Sequence, residues 1–255
     1  MSLIYVPKGR AREYSPYALN IYTGCDHGCT YCYGTSTCFM DNKNAVPKKN
    51  IIDALRKELT KFAPREQVLL SFIGDPYCVA EERNGITRDV LELLSEYHVP
   101  TAILTKGGTR CLRDAGIFTR FEAPLKVGAS LTFLCAEDSH DTEPFAAEPG
   151  DRIEALETLS TLGVKTWVSL EPVIDPRQTL RLIAETHRFV DEYRVGKMNH
   201  HPSDIDWAAF GYAAVEMLRA YGKAFYVKED LRKYISIPLT DDECDMNRLN
   251  LGAAK

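Results

Sequence analysis

Short apolar runs alternate with amphipathic segments along this chain, and that alternation limits the folds open to it more than any other feature. The segments between the runs carry apolar residues at helical spacing, as in Ile51, Leu55 and Leu59. A repeated strand–helix order predicts parallel strands joined by right-handed crossovers. The strand candidates are Leu19–Tyr22, Val68–Ile73, Thr101–Leu104, Leu125–Leu131, Lys165–Leu170 and Tyr193–Met198. These six units predict an α/β protein with a partial (βα)6 barrel of the TIM type and outer helices.

Helix starts and an even composition favour a single domain. Asp151 with Glu154 three residues later has capping-box spacing, and Asp175 precedes a proline suited to the first helical turn. We expect one domain over residues 1–255, with a barrel core over about 17–227 and a C-terminal tail over about 228–255. In such a fold the chemistry lies at the carboxyl ends of the strands.

Charge and cysteine content limit the functions and the compartment to be expected for the chain. The net charge of −5 argues weakly against a chain that grips nucleic acid over a broad surface. The first residues lack the apolar core of a signal peptide, and no apolar run approaches the ~20 residues of a membrane span. We therefore expect a cytoplasmic protein with no membrane partner. In that compartment eight cysteines indicate metal or redox chemistry rather than disulfides.

Three of the cysteines, Cys25, Cys29 and Cys32, crowd into the stretch "GCDHGCTYCYG" directly after the first strand candidate. Glycines at 24, 28 and 34 permit the loop curvature that would let the three side chains converge. A 4Fe–4S cluster usually takes one thiolate per iron, so three cysteines would leave one iron with an open site. A zinc site completed by His27, a redox dithiol at Cys29 and Cys32, and inert thiols are the alternative interpretations.

The C-x-x-x-C-x-x-C spacing, with Tyr31 before its last cysteine, resembles the radical S-adenosylmethionine (SAM) superfamily. Further motifs are similar to the spore-photoproduct-lyase-like branch, also described as DNA-repair-photolyase-like. They are "NIYTGCDHGCTYCYG", "SFIGDPY", "ILTKGG", "SLEPVID" and "VGKMNHH". The resemblance covers nearly the whole chain.

The resemblance implies the cofactors and the reaction. Cys25, Cys29 and Cys32 would be the catalytic metal ligands of one 4Fe–4S cluster, and SAM would chelate its open iron. One electron, from a donor such as flavodoxin or ferredoxin, would cleave SAM to methionine and a 5′-deoxyadenosyl radical. That radical would then take a hydrogen atom from the substrate, while the protein orients the reactants and excludes water.

The resemblance also places a SAM pocket along the strand ends. Gly74, Asp75 and Pro76 match a turn that meets the SAM amino group, and Asp75 could accept from the ammonium. Lys106, which has no acidic residue close to it in sequence, suits the SAM carboxylate. The remaining expected SAM-binding residues are Tyr31, the hydroxyl-bearing Thr105, Ser130 and Glu171, whose carboxylate could bind the ribose, orient substrate or form a structural salt bridge.

Other segments are expected around the pocket. Asn199, His200 and His201 are candidates for the substrate side, and Tyr33 for packing against the cluster. The acidic segment Cys135–Glu143 is long for a barrel loop, which indicates a lid or a solvated excursion.

The substrate is expected to be a nucleic-acid base that is repaired or modified. Basic residues that could meet phosphates are Lys8, Arg10, Arg12, Lys43, Lys48 and Lys49. A radical SAM enzyme for a small metabolite or peptide, and a non-catalytic iron–sulfur protein, are the alternatives. Spore photoproduct lyase needs a hydrogen-donating cysteine near the end of strand two, where this chain has "SFIGD"; Cys78 lies three residues beyond, in the wrong register. This departure puts spore-photoproduct repair itself in doubt.

Overall fold

An eight-stranded sheet forms the centre of the computed structural model, which describes residues 2–199 and 201–252. Its strand order is β1-β2-β5-β6-β7-β8-β9-β10, with β1 antiparallel to β2 and every other neighbouring pair parallel. Strands β3 and β4 form a separate antiparallel ribbon. The ten strands are β1 Ile4–Tyr5, β2 Tyr17–Leu19, β3 Tyr22–Cys25, β4 Asn44–Pro47, β5 Val68–Leu70, β6 Thr101–Thr105, β7 Leu125–Ser130, β8 Lys165–Leu170, β9 Glu192–Val195 and β10 Ala224–Val227.

Helices connect the parallel strands, as the sequence pattern predicts. The α-helices are α1 Tyr33–Thr37, α2 Ile51–Leu59, α3 Glu81–Asn84, α4 Ile86–Glu96, α5 Ala115–Phe118, α6 Ala136–Thr142, α7 Pro149–Thr161, α8 Pro176–Thr186, α9 Trp207–Ala220, α10 Glu229–Arg232 and α11 Asp241–Cys244. Two short 3-10 helices span Gly9–Glu13 and Gly108–Asp114. Asp175 caps α8 as predicted by accepting from the Arg177 and Gln178 backbone N–H groups. Asp151 lies instead inside the first turn of α7, where it accepts from Thr109.

The α/β class with a mostly parallel sheet is confirmed, and two details of the prediction are wrong. The first parallel strand is Tyr17–Leu19, and the residues after it turn away into the β3–β4 ribbon. A seventh parallel strand, Ala224–Val227, was not among the strand candidates. Its apolar run is only four residues long and follows α9 closely, so it carries little strand signal of its own.

The strands bury both faces of the sheet, but with different side chains. Residues on the outer face, such as Ile103, Val127 and Val168, pack against the helices in two apolar clusters. On the inner face, Trp167 packs with Leu69 and other residues of a smaller cluster, and its indole N–H donates to the Ile103 carbonyl at 3.0 Å. Because strand side chains alternate between faces, the next inner positions after Trp167 are Ser169 and Glu171, at the carboxyl end.

The segment expected to be a tail from residue 228 packs back onto the sheet. Lys126 on β7 donates to the Leu249 carbonyl and pairs with Glu192 at 2.6 Å. Burial lowers the pKa of Lys126 to about 7, although Glu192 opposes the shift. Gln67 bonds both backbone groups of Leu251. The C-terminal residues thus cover the amino ends of the strands, opposite the end where chemistry is expected.

None of the helices in the described part of the chain has the length and apolar character needed to span a bilayer.

Replacing Trp167 by alanine should test the inner core. The side chain is 1% exposed, and Gly128 leaves room for it, since a Cβ there would lie 2.5 Å from the indole nitrogen. Trp167→Ala should lower the free energy of unfolding by about 3–5 kcal/mol, measured by urea titration. Tyr212→Ala, at a 53%-exposed position of α9, should change it by less than about 0.5 kcal/mol. Equal effects of the two changes would contradict this description of the core.

Candidate functional site

A cavity of about 550 Å³ opens at the carboxyl ends of the strands, and the cysteine loop forms part of its wall. Cys25, Cys29 and Cys32 all line it. Seven of the eight residues expected to bind SAM line it too: Tyr31, Gly74, Asp75, Thr105, Lys106, Ser130 and Glu171. Pro76 is not part of the wall; it is buried, and its carbonyl accepts from Thr87 at 2.5 Å. The structure therefore brings together side chains that are up to about 150 residues apart in sequence.

The cysteine loop grows out of the β3–β4 ribbon rather than directly out of the sheet. Cys25 is the last residue of β3, and Cys32 occupies the N-cap position of α1. Cys29 between them is buried, whereas Cys25 and Cys32 are half-buried. The expectation that the loop follows the first sheet strand is thus corrected: the ribbon lifts it over the end of the sheet.

Two distant segments clamp this loop. On the ribbon side, the Cys25 N–H donates to Asp41 O at 2.9 Å, and the Gly28 N–H donates to Asn42 O at 2.8 Å. On the other side, the Thr30 N–H donates to Thr142 O at 2.9 Å. The backbone of a loop with few apolar residues is held by these bonds, so its shape depends on both neighbours.

Gly24 is required at the base of the loop. Its φ of +79° lies in the left-handed region, and a Cβ there would stand 2.1 Å from the Asn44 carbonyl oxygen. Gly34 has a different role from the one expected, because it does not adopt a positive φ. Instead it leaves space for Met40, whose Cε would lie 2.9 Å from an added Cβ.

Burial governs the acidity of the thiols. It raises the pKa of Cys29 to about 11, with the Lys106 ammonium opposing the shift, and raises the pKa of Cys25 well above its ordinary value. A bound metal would displace the protons of these thiols, because metals bind the thiolate form. No three His, Cys, Asp or Glu side chains within 2–199 and 201–252 are arranged to hold a single metal ion. A cluster that takes one thiolate per iron does not require such convergence on one point.

His27 faces Asp75 rather than the thiols, which disfavours the zinc site that would include it. Its Nε2 lies 3.1 Å from a carboxylate oxygen of Asp75. That carboxylate also accepts from Thr105 Oγ1 at 2.6 Å and from the Lys106 N–H at 2.7 Å. Burial alone would raise the pKa of Asp75, but the facing His27 ring and these hydrogen bonds lower it far below its ordinary value. Asp75, which was expected to be a free acceptor for the SAM ammonium, is therefore already engaged by donors of the protein itself.

Side-chain hydrogen bonds hold the turn before Asp75 at the edge of the cavity. Asn20 Oδ1 accepts from the Phe72 and Ile73 N–H groups at 3.0 and 3.1 Å, and Ser71 Oγ donates to Gly74 O at 3.0 Å. A Cβ on Gly74 would lie 2.7 Å from Gly24 O, so this turn packs closely against the base of the cysteine loop.

Lys106 does have an acidic partner, although that partner is distant in sequence. Its Nζ lies 3.8 Å from Glu143 and 5.5 Å from the centre of the Tyr31 ring. Glu143 also accepts from the Tyr31 hydroxyl and pairs with Arg152 at 2.5 Å. Burial would raise the pKa of Glu143, but Lys106 and Arg152 lower it to about 2. Ser130 lies beside this network, with its carbonyl accepting from Arg152 at 3.0 Å.

Glu171 lies at the far wall of the cavity in a buried network. It accepts from the Tyr14 hydroxyl at 2.7 Å and from the Asn199 amide at 2.9 Å, and it forms an ion pair with Lys228. Tyr14 in turn contacts Ser169 Oγ at 2.8 Å. Of the roles considered for Glu171, the salt bridge is present in the structure.

The other residues expected around the pocket lie in different surroundings. Tyr33 is 41% exposed and donates to Phe72 O at 3.1 Å, while the acidic segment after Cys135 is helix α6 rather than a loop. His201 is exposed, and His200 lies outside the described residues. Cys78 is fully buried and absent from the cavity wall.

The basic candidates differ in their surroundings. Lys8 and Arg10 line the cavity, and Arg10 is paired with Glu229 and Asp230. Arg12 contacts Asn247 at 3.4 Å. Lys43 and Lys49 are exposed on the ribbon side, and Lys48 beside them is half-buried.

The chain has relatives in sequence. The chain is 30% identical over 183 residues to "Uncharacterized protein MJ0683" of Methanocaldococcus jannaschii, covering 69% of this chain and 68% of that protein. It is also 30% identical over 180 residues to "Uncharacterized protein Rv2578c" of Mycobacterium tuberculosis, covering 66% of this chain. The chain spans about half the length of that mycobacterial relative. No family model matches.

Solved structures show the fold. SuiB of Streptococcus suis bound to S-adenosylmethionine superposes with a TM-score of 0.64 and 15% identity, over 88% of this chain and 53% of SuiB. Spore photoproduct lyase complexed with dinucleoside spore photoproduct superposes with a TM-score of 0.66 and 14% identity, over 84% of this chain and 76% of the lyase. Both are radical SAM enzymes. The chain belongs to the MJ0683 family and has the radical SAM fold.

Sequence reasoning missed several residues of this candidate site. Tyr14 and Arg152 have no motif around them, so nothing local distinguishes them from structural residues. Glu143 ends the acidic segment noted in the sequence, but that segment was expected to be a lid or a solvated excursion and not a partner of Lys106. Lys228 did carry a signal: "AFYVK" is an apolar run ending in lysine, like "AILTK" before Lys106. Recognising the seventh strand would have placed Lys228 at the same end of the sheet.

Gly24→Ala should disrupt the cysteine loop far more than backbone strain alone explains. Gly163 is the matched control, because its φ of +78° is nearly the same but no atom lies within 4 Å of an added Cβ. Gly163→Ala should cost about 1–2 kcal/mol of unfolding free energy and leave bound iron unchanged. Gly24→Ala should also lose most of the iron, measured colorimetrically after anaerobic reconstitution. Equal iron content in the two variants would show that the contact with Asn44 is unimportant.

Glu143→Gln should destabilise the fold and alter its acid sensitivity. Removing the charge leaves Arg152 buried without its anion, which should cost about 3–5 kcal/mol at neutral pH. The pKa of Glu143 is depressed in the folded state, so its contribution is complete above the ordinary glutamate pKa of about 4.3 and is lost as pH falls toward 2. Urea titrations from about pH 6 to 3 should show a shallower acid loss in Glu143→Gln than in Glu137→Gln, at an exposed position. Parallel curves would refute this role.

Proposed function

We propose that the chain is a radical SAM enzyme in which Cys25, Cys29 and Cys32 hold one 4Fe–4S cluster. The supporting observation is that all three cysteines of a C-x-x-x-C-x-x-C loop line one cavity at the carboxyl ends of the strands. Three thiolates supply three irons and leave the fourth open to a ligand. We further propose that the sheet is a partial barrel and that residues 1–255 act as one cytoplasmic domain.

SAM would bind in the same cavity, next to the open iron. Backbone carbonyls of the turn at 71–74 would accept hydrogen bonds from its ammonium group, since the Asp75 carboxylate is already engaged. Lys106 would contact its carboxylate, and Ser130 would offer a hydroxyl from the adjacent strand. When bound, the cluster would supply the electron needed for reductive cleavage of SAM.

The chain's own residues would hold these groups in place and keep water out. Asp75 would act as a positioning residue, because it ties His27 in the cysteine loop to Thr105 and the Lys106 backbone on β6. Glu143 would fix the direction of the Lys106 side chain. Glu171, held by Lys228, would form a fixed acceptor on the wall that receives the ribose or the substrate.

The proposed substrate is a nucleic-acid base. Aromatic residues of the cavity wall could stack against a base: Tyr5, Tyr14 and Phe72. Lys8 and Lys197 at the same cavity could meet phosphates. A peptide or small metabolite is the second candidate, because SuiB, solved bound to the precursor peptide SuiA, shares the fold as fully as the lyase does.

Anaerobically reconstituted protein with dithionite and SAM should release 5′-deoxyadenosine. Cys29→Ala should abolish this release and remove the visible absorbance of the cluster, because one iron loses its ligand. Cys135→Ala, at an exposed position outside the cavity, should retain both. Unchanged iron content in Cys29→Ala would make the ligand assignment wrong. An intact cluster that never cleaves SAM would favour the non-catalytic iron–sulfur protein.

Deuterium transfer should identify the substrate class. Candidate oligonucleotides, nucleosides and peptides carrying deuterium would be incubated with the enzyme, and 5′-deoxyadenosine would be examined by mass spectrometry. Label arriving only from nucleic acid, together with salt-dependent binding of that strand, is the expected result. Label arriving only from a peptide or metabolite would reject the base and support the second candidate.

A further inference from the structure

The segment that follows the cysteine loop presents an unusual surface to solvent. We define the hairpin face by four exposed side chains: Phe39, Lys43, Val46 and Lys49. Phe39 is 91% exposed, the highest value among the exposed large apolar residues of the described chain, and Val46 is 59% exposed. Phe39 also has a φ of +51°, which is strained for a bulky residue. Exposure and strain at one phenylalanine indicate a role outside folding.

The hairpin face is directly connected to a proposed cluster ligand. The N–H groups of Cys38 and Met40 both donate to Gly34 O, at 3.1 and 2.9 Å, which anchors the peptide on either side of Phe39. A Cβ on Gly34 would lie 2.9 Å from Met40 Cε and 3.5 Å from Cys32 Sγ. The Phe39 end of the hairpin face therefore lies one packed turn away from Cys32.

The hairpin face lies outside the cavity. Cys38 and Met40 line the cavity wall, whereas Phe39 between them does not. A protein bound at Phe39 could therefore approach the cluster while SAM and substrate fill the cavity. A nucleic-acid substrate, in contrast, has to reach into the cavity itself.

The proposed chemistry needs one electron for the cluster, and this requirement favours an electron-transfer protein as the partner that binds the hairpin face. We propose that an acidic electron-transfer protein docks on the hairpin face to reduce the cluster; this inference rests on the proposed function. One electron leaves the reduced cofactor of the partner and enters the cluster beside Cys32. No bond is made or broken and no group is transferred between the two proteins.

Charge supports an acidic partner on this side of the loop. Residues 39–49 carry three lysines and one aspartate. That aspartate, Asp41, is held within the hairpin, because its carboxylate accepts from the Lys43 N–H at 2.9 Å and from the Asn44 amide at 2.7 Å. On the opposite side of the loop, α6 exposes Glu137, Asp138 and Asp141 and would repel the same partner. The two sides thus direct an acidic protein toward the hairpin face.

Binding and reduction should be measured separately with the reconstituted enzyme and a flavodoxin. Phe39→Asn removes the apolar ring while keeping a residue that tolerates a positive φ. It should weaken flavodoxin binding roughly tenfold in calorimetry, as loss of a central aromatic contact does. Lys43→Glu with Lys49→Glu should slow cluster reduction in stopped-flow absorbance and flatten its salt dependence. Tyr212→Ser and Lys57→Glu, at exposed positions on other helices, should behave like the unchanged protein.

Dithionite separates this inference from the proposed function. With dithionite as reductant, Phe39→Asn should release 5′-deoxyadenosine at the unchanged rate, because the small reductant needs no docking surface. A loss of activity with both reductants, or unchanged flavodoxin binding in Phe39→Asn, would overturn the inference. If Phe39→Asn lost oligonucleotide binding but kept flavodoxin binding, the surface would be assigned to nucleic acid, and the inference would again be overturned. If the unchanged protein cleaves no SAM with dithionite, the proposed function fails, whatever the binding data show.

Discussion

The alternation of side chains along parallel strands is the constraint on which the site depends. Every second residue of a strand faces inward, so a packed inner residue fixes the direction of the residue two positions later. Trp167 is buried in the inner cluster, and Ser169 and Glu171 follow it toward the cavity. The same step leads from Tyr226 to Lys228. The cavity wall is therefore a continuation of the core, and the packed core fixes the positions of its polar groups.

The sequence is sufficient to predict the elements that depend on local pattern. Strand Lys165–Leu170 matches its prediction at both ends, and Asp175 begins its helix as expected. The cysteine loop and most of the SAM-binding residues that the family resemblance implied line one cavity, because they lie at the carboxyl ends of neighbouring parallel strands. Motif spacing and hydrophobic period are both defined by residues close together in the chain, so a single sequence is enough to recognise them.

What the sequence does not predict comes from contacts between distant segments. Lys106 has no acid nearby in sequence, yet Glu143 lies 3.8 Å from it because α6 and α7 fold back over the strand ends. Asp75 reads as a free acceptor, but His27 arrives from the cysteine loop to face it. The ribbon that carries Cys25 is set by pairing with residues 44–47, about 20 positions away. No local period encodes such pairings.

These distant contacts have one electrostatic consequence for the cavity. Lys106 faces Glu143 and Lys228 faces Glu171, so these charges are balanced within the protein before any ligand arrives, and the Asp75 carboxylate is held by the His27 ring and by Thr105. Balanced charges need little rearrangement when a ligand enters, and their geometry is fixed in advance. The ammonium and carboxylate groups of SAM would each find a partner on a wall of this kind without leaving a buried ion of the protein uncompensated. The backbone of the turn at 71–74 and the three thiols are then the uncharged groups of the wall left to contact a ligand, which places ligand selectivity in the cysteine loop and the turn packed against it.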